Sequence, residues 1–286
     1  MNKIKFLYYS LPSIFLKISK IFFSKLYNPI IYDFIFSPIG QKYGVTKKQR
    51  IMLLKKFMTV IENVDSATSL ETHITLAKYL LSLPKSKNEF VVECGCFKGA
   101  SSCSISIICK IIGKRLIIYD SFEGLPSITK NNKTFYPHIK VTEKYKQGMY
   151  KGNLDVVKKN LINYGEFSQC IFRKGFFEKT LPSHKEKVGF IFLDVDLPNS
   201  TKACIKNLWK YLKNDGYIFT DDSCDMDNVK IWFDTLWWMK NLNTNAPGYI
   251  GSGCGLPLNG PYSGLGYSIK KPNIKKFSSK NKFHLK

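Results

Sequence analysis

Residues 90–102 read F-V-V-E-C-G-C-F-K-G-A-S-S. A short apolar run ends on an acid, Glu93, and passes through Gly95 and Gly99 into residues 100–112, A-S-S-C-S-I-S-I-I-C-K-I-I, which read as a helix. Strand, glycine turn and helix in immediate succession make the opening unit of a parallel α/β sheet. The unit recurs down the chain. Further strands are predicted at 115–120 (R-L-I-I-Y-D), 169–173, 188–194 (V-G-F-I-F-L-D) and 216–221 (G-Y-I-F-T-D), with helices at 153–163, 200–212 and 229–239. Residues 245–266, rich in Gly and Pro, read as loop before a final edge strand at 267–269. Upstream, residues 46–83 predict two helices. Asp65-Ser66-Ala67-Thr68-Ser69-Leu70-Glu71 offers capping chemistry between them, and Pro84 stops the second. The expected fold class is α/β, a sheet with helices on both faces preceded by a helical N-terminal extension.

The chain has 286 residues, 44% of them hydrophobic and 14% aromatic, which supports a sizeable core and argues against global disorder. Eight cysteines are too sparse for a disulfide scaffold. Cys94, Cys96, Cys103 and Cys109 lack the usual spacing of a zinc site and read as small core thiols. No apolar run reaches the roughly 18 residues of a membrane span, and no secretory signal is evident. A cytoplasmic protein with reduced thiols is expected. The formal net charge is +23. Residues 1–60 hold eleven Lys and Arg against one acid, Asp33, and residues 270–286 hold seven Lys and no acid. A globular body with basic ends is not a nucleic-acid groove, so no specific nucleic-acid partner is expected. The chain divides into a basic amphipathic segment at 1–44, the α/β domain at 45–270 and a Lys-rich tail at 271–286.

Within the first segment, residues 12–27 place Ser13, Lys17, Lys20 and Ser24 on one helical face and Ile14, Ile18, Ile21, Phe22 and Leu26 on the other. Such a helix suits peripheral contact with an anionic membrane surface, here the inner face of the membrane. It equally suits burial against its own domain or against a second copy in a homo-oligomer, and amphipathicity does not choose between them.

Ligands of such sheets bind beyond the carboxyl ends of the strands. The predicted strands end at Glu93, at Asp120, at Asp194 with Asp196, and at Asp221 with Asp222. One strand-end aspartate commonly caps the next helix. Acids converging on one rim cost stability unless a cation or hydroxyl groups use them. The first turn is G-x-x-x-G, not the G-x-G-x-x-G of dinucleotide enzymes, and no G-x-x-x-x-G-K-[ST] is present. Asp120 is placed to accept both hydroxyls of a ribose. An acid there without a pyrophosphate loop suggests an adenosine cofactor lacking phosphates, and S-adenosylmethionine fits.

Five blocks occur in order: V-V-E-C-G-C-F-K-G-A-S-S, Y-D-S-F-E-G-L-P, K-G-F-F-E-K-T-L-P, F-L-D-V-D-L-P-N-S-T and G-Y-I-F-T-D-D-S. Over roughly residues 60–255 they make the chain resemble the macrocin O-methyltransferase family of sugar O-methyltransferases. The resemblance implies a Rossmann-like class I methyltransferase fold, S-adenosylmethionine as cofactor and magnesium-dependent transfer to a sugar hydroxyl of a glycan or glycoside. It implies that Glu93 and Gly95 form the cofactor-cradling turn. Asp120 matches the ribose acid, with Ser121 and Phe122 beside the adenine, and Gly175 and Phe176 match the loop after the third strand. Asp194, Asp221 and Asp222 match the metal ligands, and Asp196 the general base. Pro198 and Asn199 depart from the pattern, as does S-C-D-M-D-N-V-K-I-W-F after Asp222, which borders the acceptor. Elementary chemistry agrees with these roles, since three carboxylates suit magnesium, a dication makes a hydroxyl more acidic, and a nearby carboxylate can take its proton.

Residues 127–152, a long polar insertion with His138, Gly148 and Gly152, are expected to form a lid over cofactor and acceptor. Trp209, Trp232, Trp237 and Trp238 read as helix packing. The competing enzyme reading takes Asp194-Val195-Asp196 as the D-x-D of a metal-dependent glycosyltransferase, which has no need of Asp120, the glycine turn or the Asp221-Asp222 pair. An RNA-binding or RNA-modifying protein is favoured by charge alone.

Overall fold

The apolar run quoted above is strand β1 (Phe90–Cys94) of a computed structural model that describes residues 28–86, 88–128, 145–223, 225–251 and 264–271. The helix expected at 12–27, the larger part of the 127–152 insertion with His138, and the tail beyond 271 lie outside the described residues.

With β1 stand β2 (Leu116–Asp120), β3 (Cys170–Lys174), β4 (Val188–Leu193), β5 (Leu212–Thr220), β6 (Ile250–Gly251) and β7 (Gly266–Ile269). They form one sheet in the order β3-β2-β1-β4-β5-β7-β6. The first five strands are parallel; β7 pairs antiparallel with β5, and β6 antiparallel with β7. Apart from Glu93 and the terminal Asp120, β1, β2 and β4 are apolar because both faces are covered. Phe190 and Phe192 of β4 enter one core, while Val188, Ile191 and Leu193 enter the other.

The first core lies under α1 (Pro29–Phe36), α2 (Lys47–Asn63), α3 (Leu70–Ser82), α4 (Ala100–Ile112) and α5 (Leu154–Tyr164). The second lies under α6 (Phe177–Thr180), α7 (Pro198–Leu208), α8 (Met226–Ile231) and α9 (Thr235–Leu242). Capping chemistry sets several boundaries. Thr46 and Gln49 form a reciprocal capping box on α2, and the Ser69 hydroxyl accepts from Thr72 N to start α3. Asn28 caps α1 and also donates to Glu71 at 2.7 Å. Phe34 is fully buried in the first core, and the Arg50 guanidinium donates to the carbonyls of Ile35, Ile39 and Val45. Residues 28–44 are therefore packed on the domain.

Three expectations are corrected. The helix predicted at 200–212 ends at Leu208, and the fifth strand starts at Leu212 rather than at 216. Leu212 is buried against β4, and Lys270 Nζ donates to the carbonyls of Trp209 and Leu212, both at 2.7 Å, so these oxygens find their donor outside a helix. The single helix predicted at 229–239 is two, because the Asp234 carboxylate caps Trp237 N at 3.0 Å and starts α9. The loop predicted at 245–266 contains the short strand β6. Among the described residues no helix is long and apolar enough to cross a membrane. The described cysteines are free thiols, five of them buried. Trp232 and Trp238 are fully buried, and Trp238 packs edge-on against Trp209 and Trp237, as expected.

Candidate active site

Register places the acids in a row. Cys94 stands opposite Tyr119 on one side and Leu193 on the other, and Leu193 stands opposite Thr220. The next residue out is Gly95, Asp120, Asp194 and Asp221 in turn. Hydrogen bonds continue the ladder past the strand ends: Gly95 N to Tyr119 O at 2.9 Å, Asp194 N to Cys94 O at 3.0 Å, Asp221 N to Leu193 O at 2.9 Å and Gly175 N to Asp120 O at 2.9 Å. Gly95 has φ +82°, and a Cβ there would lie 1.9 Å from the Asp194 carbonyl oxygen. Only glycine permits that approach.

Glu93 is completely buried beneath this turn. Its carboxylate accepts hydroxyl hydrogens from Ser101 at 2.6 Å and from Ser102, both in the first turn of α4. Burial pushes its pKa up to about 7, against the pull of the two hydroxyls, and the neighbouring Asp120 charge adds to the rise. Glu93 fastens the start of α4 behind the turn.

Asp120 organises the adjoining loop. Its Oδ2 accepts from Cys96 N at 2.7 Å and its Oδ1 from Phe122 N at 2.6 Å. Burial raises its pKa, and these backbone donors oppose the rise. Each oxygen retains a second lone pair, so the carboxylate can brace two turns and still accept from a diol. Phe97 and Phe122 flank it with φ +48° and +56°, left-handed conformations that persist where surrounding structure imposes them. Ser121 Oγ donates to Gly124 O at 2.9 Å and accepts from Glu123 N at 3.0 Å. The Phe122 ring faces Phe172, and Phe176, half-buried, supplies the carbonyl that accepts from Lys179 N and Thr180 N to open α6. The expected cofactor residues thus converge around the ends of β1, β2 and β3.

The remaining acids gather at the ends of β4 and β5. Burial drives the Asp194 carboxyl well above the ordinary carboxylate range, and the charges of Asp221, Asp222 and Asp196 drive it further. Asp196 has φ +58°, and Leu197 N reaches Val195 O at 2.5 Å, so Asp196 occupies the tip of a γ-turn. Its backbone is bracketed from two sides. Asp222 Oδ2 accepts from Asp196 N at 3.1 Å, and Asn228 Nδ2 donates to Asp196 O at 2.8 Å while Thr201 Oγ1 donates to Asn228 Oδ1 at 2.7 Å.

Three tyrosines border these acids, and the sequence reading missed all of them. Tyr145 is buried and its hydroxyl is hydrogen-bonded to Asp196. Tyr150, with φ +55°, lies within electrostatic reach of Asp194, Asp196 and Asp222. The Tyr249 hydroxyl donates to Thr220 O at 3.2 Å beside Asp221 and Asp222. No spacing rule marks them, because each comes from a loop remote in sequence from the acid it faces.

Among the described residues no group of three or more His, Cys, Asp or Glu side chains forms a ready-made cation site. In chemical kind, Asp194, Asp221 and Asp222 do fit a hard dication, being oxygen donors whose charges already act on one another.

The model of the macrocin-O-methyltransferase family matches residues 88–246. A curated relative, the 8-demethyl-8-(2,3-dimethoxy-alpha-L-rhamnosyl)-tetracenomycin-C 4'-O-methyltransferase of Streptomyces olivaceus, is 30% identical over 137 residues, 46% of this chain. The match spans about half of that relative, 52% of its length. Among solved structures, the O-methyltransferase NovP has a TM-score of 0.58 at 15% identity, covering 78% of this chain and 98% of that one. CalS11, a calicheamicin methyltransferase, has a TM-score of 0.50 at 13% identity, covering 77% and 92%. Both share the fold described above.

Proposed function

The chain belongs to the macrocin O-methyltransferase family, and from that premise we propose that it methylates a hydroxyl of a sugar-containing acceptor, using S-adenosylmethionine and magnesium. The observation that carries this reading is the row of acids fixed by strand register, with Asp120 at one end and the Asp194, Asp196, Asp221 and Asp222 group at the other. S-adenosylmethionine supplies an electrophilic methyl group. Asp120 would hold its ribose, Glu93 and Gly95 would shape the turn beneath it, and Ser121, Phe122, Gly175 and Phe176 would flank its adenine. Asp194, Asp221 and Asp222 would hold magnesium, which makes a bound hydroxyl more acidic.

Asp196 takes the proton from the acceptor hydroxyl. Its place at a bracketed turn favours this, because Asp222 and Asn228 hold its backbone from both sides. Most of the rate gain would come from holding the acceptor oxygen in line and from stabilising its developing charge. A glycosyltransferase reading of Asp194 and Asp196 leaves Asp120 and its loop without a task.

Titration calorimetry tests the cofactor assignment. The protein should bind S-adenosylhomocysteine and ignore NAD, and Asp120→Asn should weaken binding by about 1–3 kcal/mol, the worth of hydrogen bonds to a charged acceptor. Turnover should stop in chelator and return with magnesium, and Asp196→Asn should bind cofactor normally yet turn over nothing. Unchanged binding in Asp120→Asn, or full activity in chelator, overturns the corresponding assignment.

A further inference from the structure

Tyr145 belongs to none of the roles assigned above, yet it sits at their junction. The residue is only 3% exposed. The ring packs with Leu125, from the loop that Asp120 organises, and with Leu197, from the turn that carries Asp196; Ile128 and Met149 border the cluster. The hydroxyl at the far end of that ring meets the Asp196 carboxylate. One side chain therefore spans from the cofactor loop to the base.

Its own backbone leaves it little freedom. Leu125 N donates to Met149 O and Gly148 N to Leu125 O, both at 2.9 Å. Gly124 has φ +83°, and a Cβ there would come within 2.5 Å of the carbonyl oxygens of Gly148 and Met149. Gly148 and Met149, a few residues beyond Tyr145, are thus clasped to residues 124 and 125, immediately beyond the Ser121 turn. Burial and the charges of Asp196, Asp222 and Asp225 push the Tyr145 phenol well above its ordinary pKa. A phenol hydroxyl that meets a carboxylate is the donor of the pair, since the carboxylate has no hydrogen to give.

We propose that Tyr145 is a positioning residue, whose ring reports the ordering of the cofactor loop and whose hydroxyl fixes the Asp196 side chain on its γ-turn. The proposal rests on the reading of Asp196 as the base. A carboxylate at the tip of a turn can rotate even when its backbone is held. A donor on one oxygen selects one orientation and leaves the other oxygen for the acceptor. Because that donor is anchored beside Leu125, the base is set when the cofactor loop is set.

The test uses the full chain with S-adenosylhomocysteine as probe, and it needs no acceptor. Tyr145→Phe retains the ring and removes the hydroxyl. In the unmodified protein, saturation with S-adenosylhomocysteine should slow amide exchange of Asp196 and Leu197 as measured by NMR or mass spectrometry. In Tyr145→Phe, calorimetry should return a dissociation constant within about twofold of the original, and the slowing at Asp196 and Leu197 should disappear. With any acceptor that the enzyme methylates, kcat should fall about 10- to 100-fold with KM little changed, the worth of one hydrogen bond to a charged group. Equal slowing in both proteins overturns the proposal, as does exchange at these two amides that ignores S-adenosylhomocysteine altogether. A protein whose Asp196→Asn variant turns over normally has a different base, and that result refutes the parent reading whatever the exchange data show.

Discussion

Glu93 ties its charge state to the stability of the whole domain. Its folded pKa of about 7 lies above that of an unfolded glutamate, about 4.3. Below about pH 4 the group is neutral in both states and costs nothing. As pH rises towards 7 the unfolded chain releases the proton first, so stability falls, by up to about 3–4 kcal/mol across the window, and then levels off. Asp194, also raised, contributes in the same sense. Glu93→Gln should therefore show a shallower loss of stability between pH 4.5 and pH 7.5 in urea titrations, at roughly the scale quoted; an unchanged slope would mean that Glu93 ionises freely in the fold. Single residues differed widely in legibility. The strand-end acids could be read because β-strands are short and their ends visible. Tyr145 could not, because its partner Asp196 is reached only through the clasp at Gly124 and Gly148.

At the scale of elements, β1, β2 and β4 were legible to within a residue or so because an apolar run buried on both faces has few other readings, whereas the half-exposed β3 was legible from its place in the strand–helix alternation. The errors lie where side chains far apart in sequence decide where a helix ends. Periodicity alone carries 200–212 and 229–239 through as single helices; Lys270 ends one and Asp234 interrupts the other. Lys270→Met tests the first cause. Two buried-side carbonyls would lose their common donor, and the expected cost is about 1–3 kcal/mol in chemical denaturation. A variant as stable as the parent would assign the end of α7 to local sequence.

At the scale of the whole molecule, the two-core sheet was legible and the packing of residues 28–44 was not. Residues 28–44 carry Phe34 and the carbonyls that hold Arg50, so their packing is tertiary and beyond the reach of a local pattern. We propose that residues 12–27 attach the protein to anionic membranes. A chain beginning at Asn28 should fold and fail to sediment with anionic vesicles, whereas the full chain should sediment and be released by salt. A chain beginning at Val45 should be destabilised by about 3–5 kcal/mol, the cost of losing a buried Phe. Equal sedimentation of the full chain and the Asn28 chain would remove the membrane role from 12–27. The order β5-β7-β6 also governs how the protein is made. The outer edge of β5 pairs with residues 266–269, which leave the ribosome long after β5 itself. At roughly 5–20 residues per second, that edge and the acids beside it wait several seconds for a partner. During that interval the nascent chain displays an open strand able to pair with a neighbour on the same message, and so depends most on chaperones until residues 266–269 have emerged.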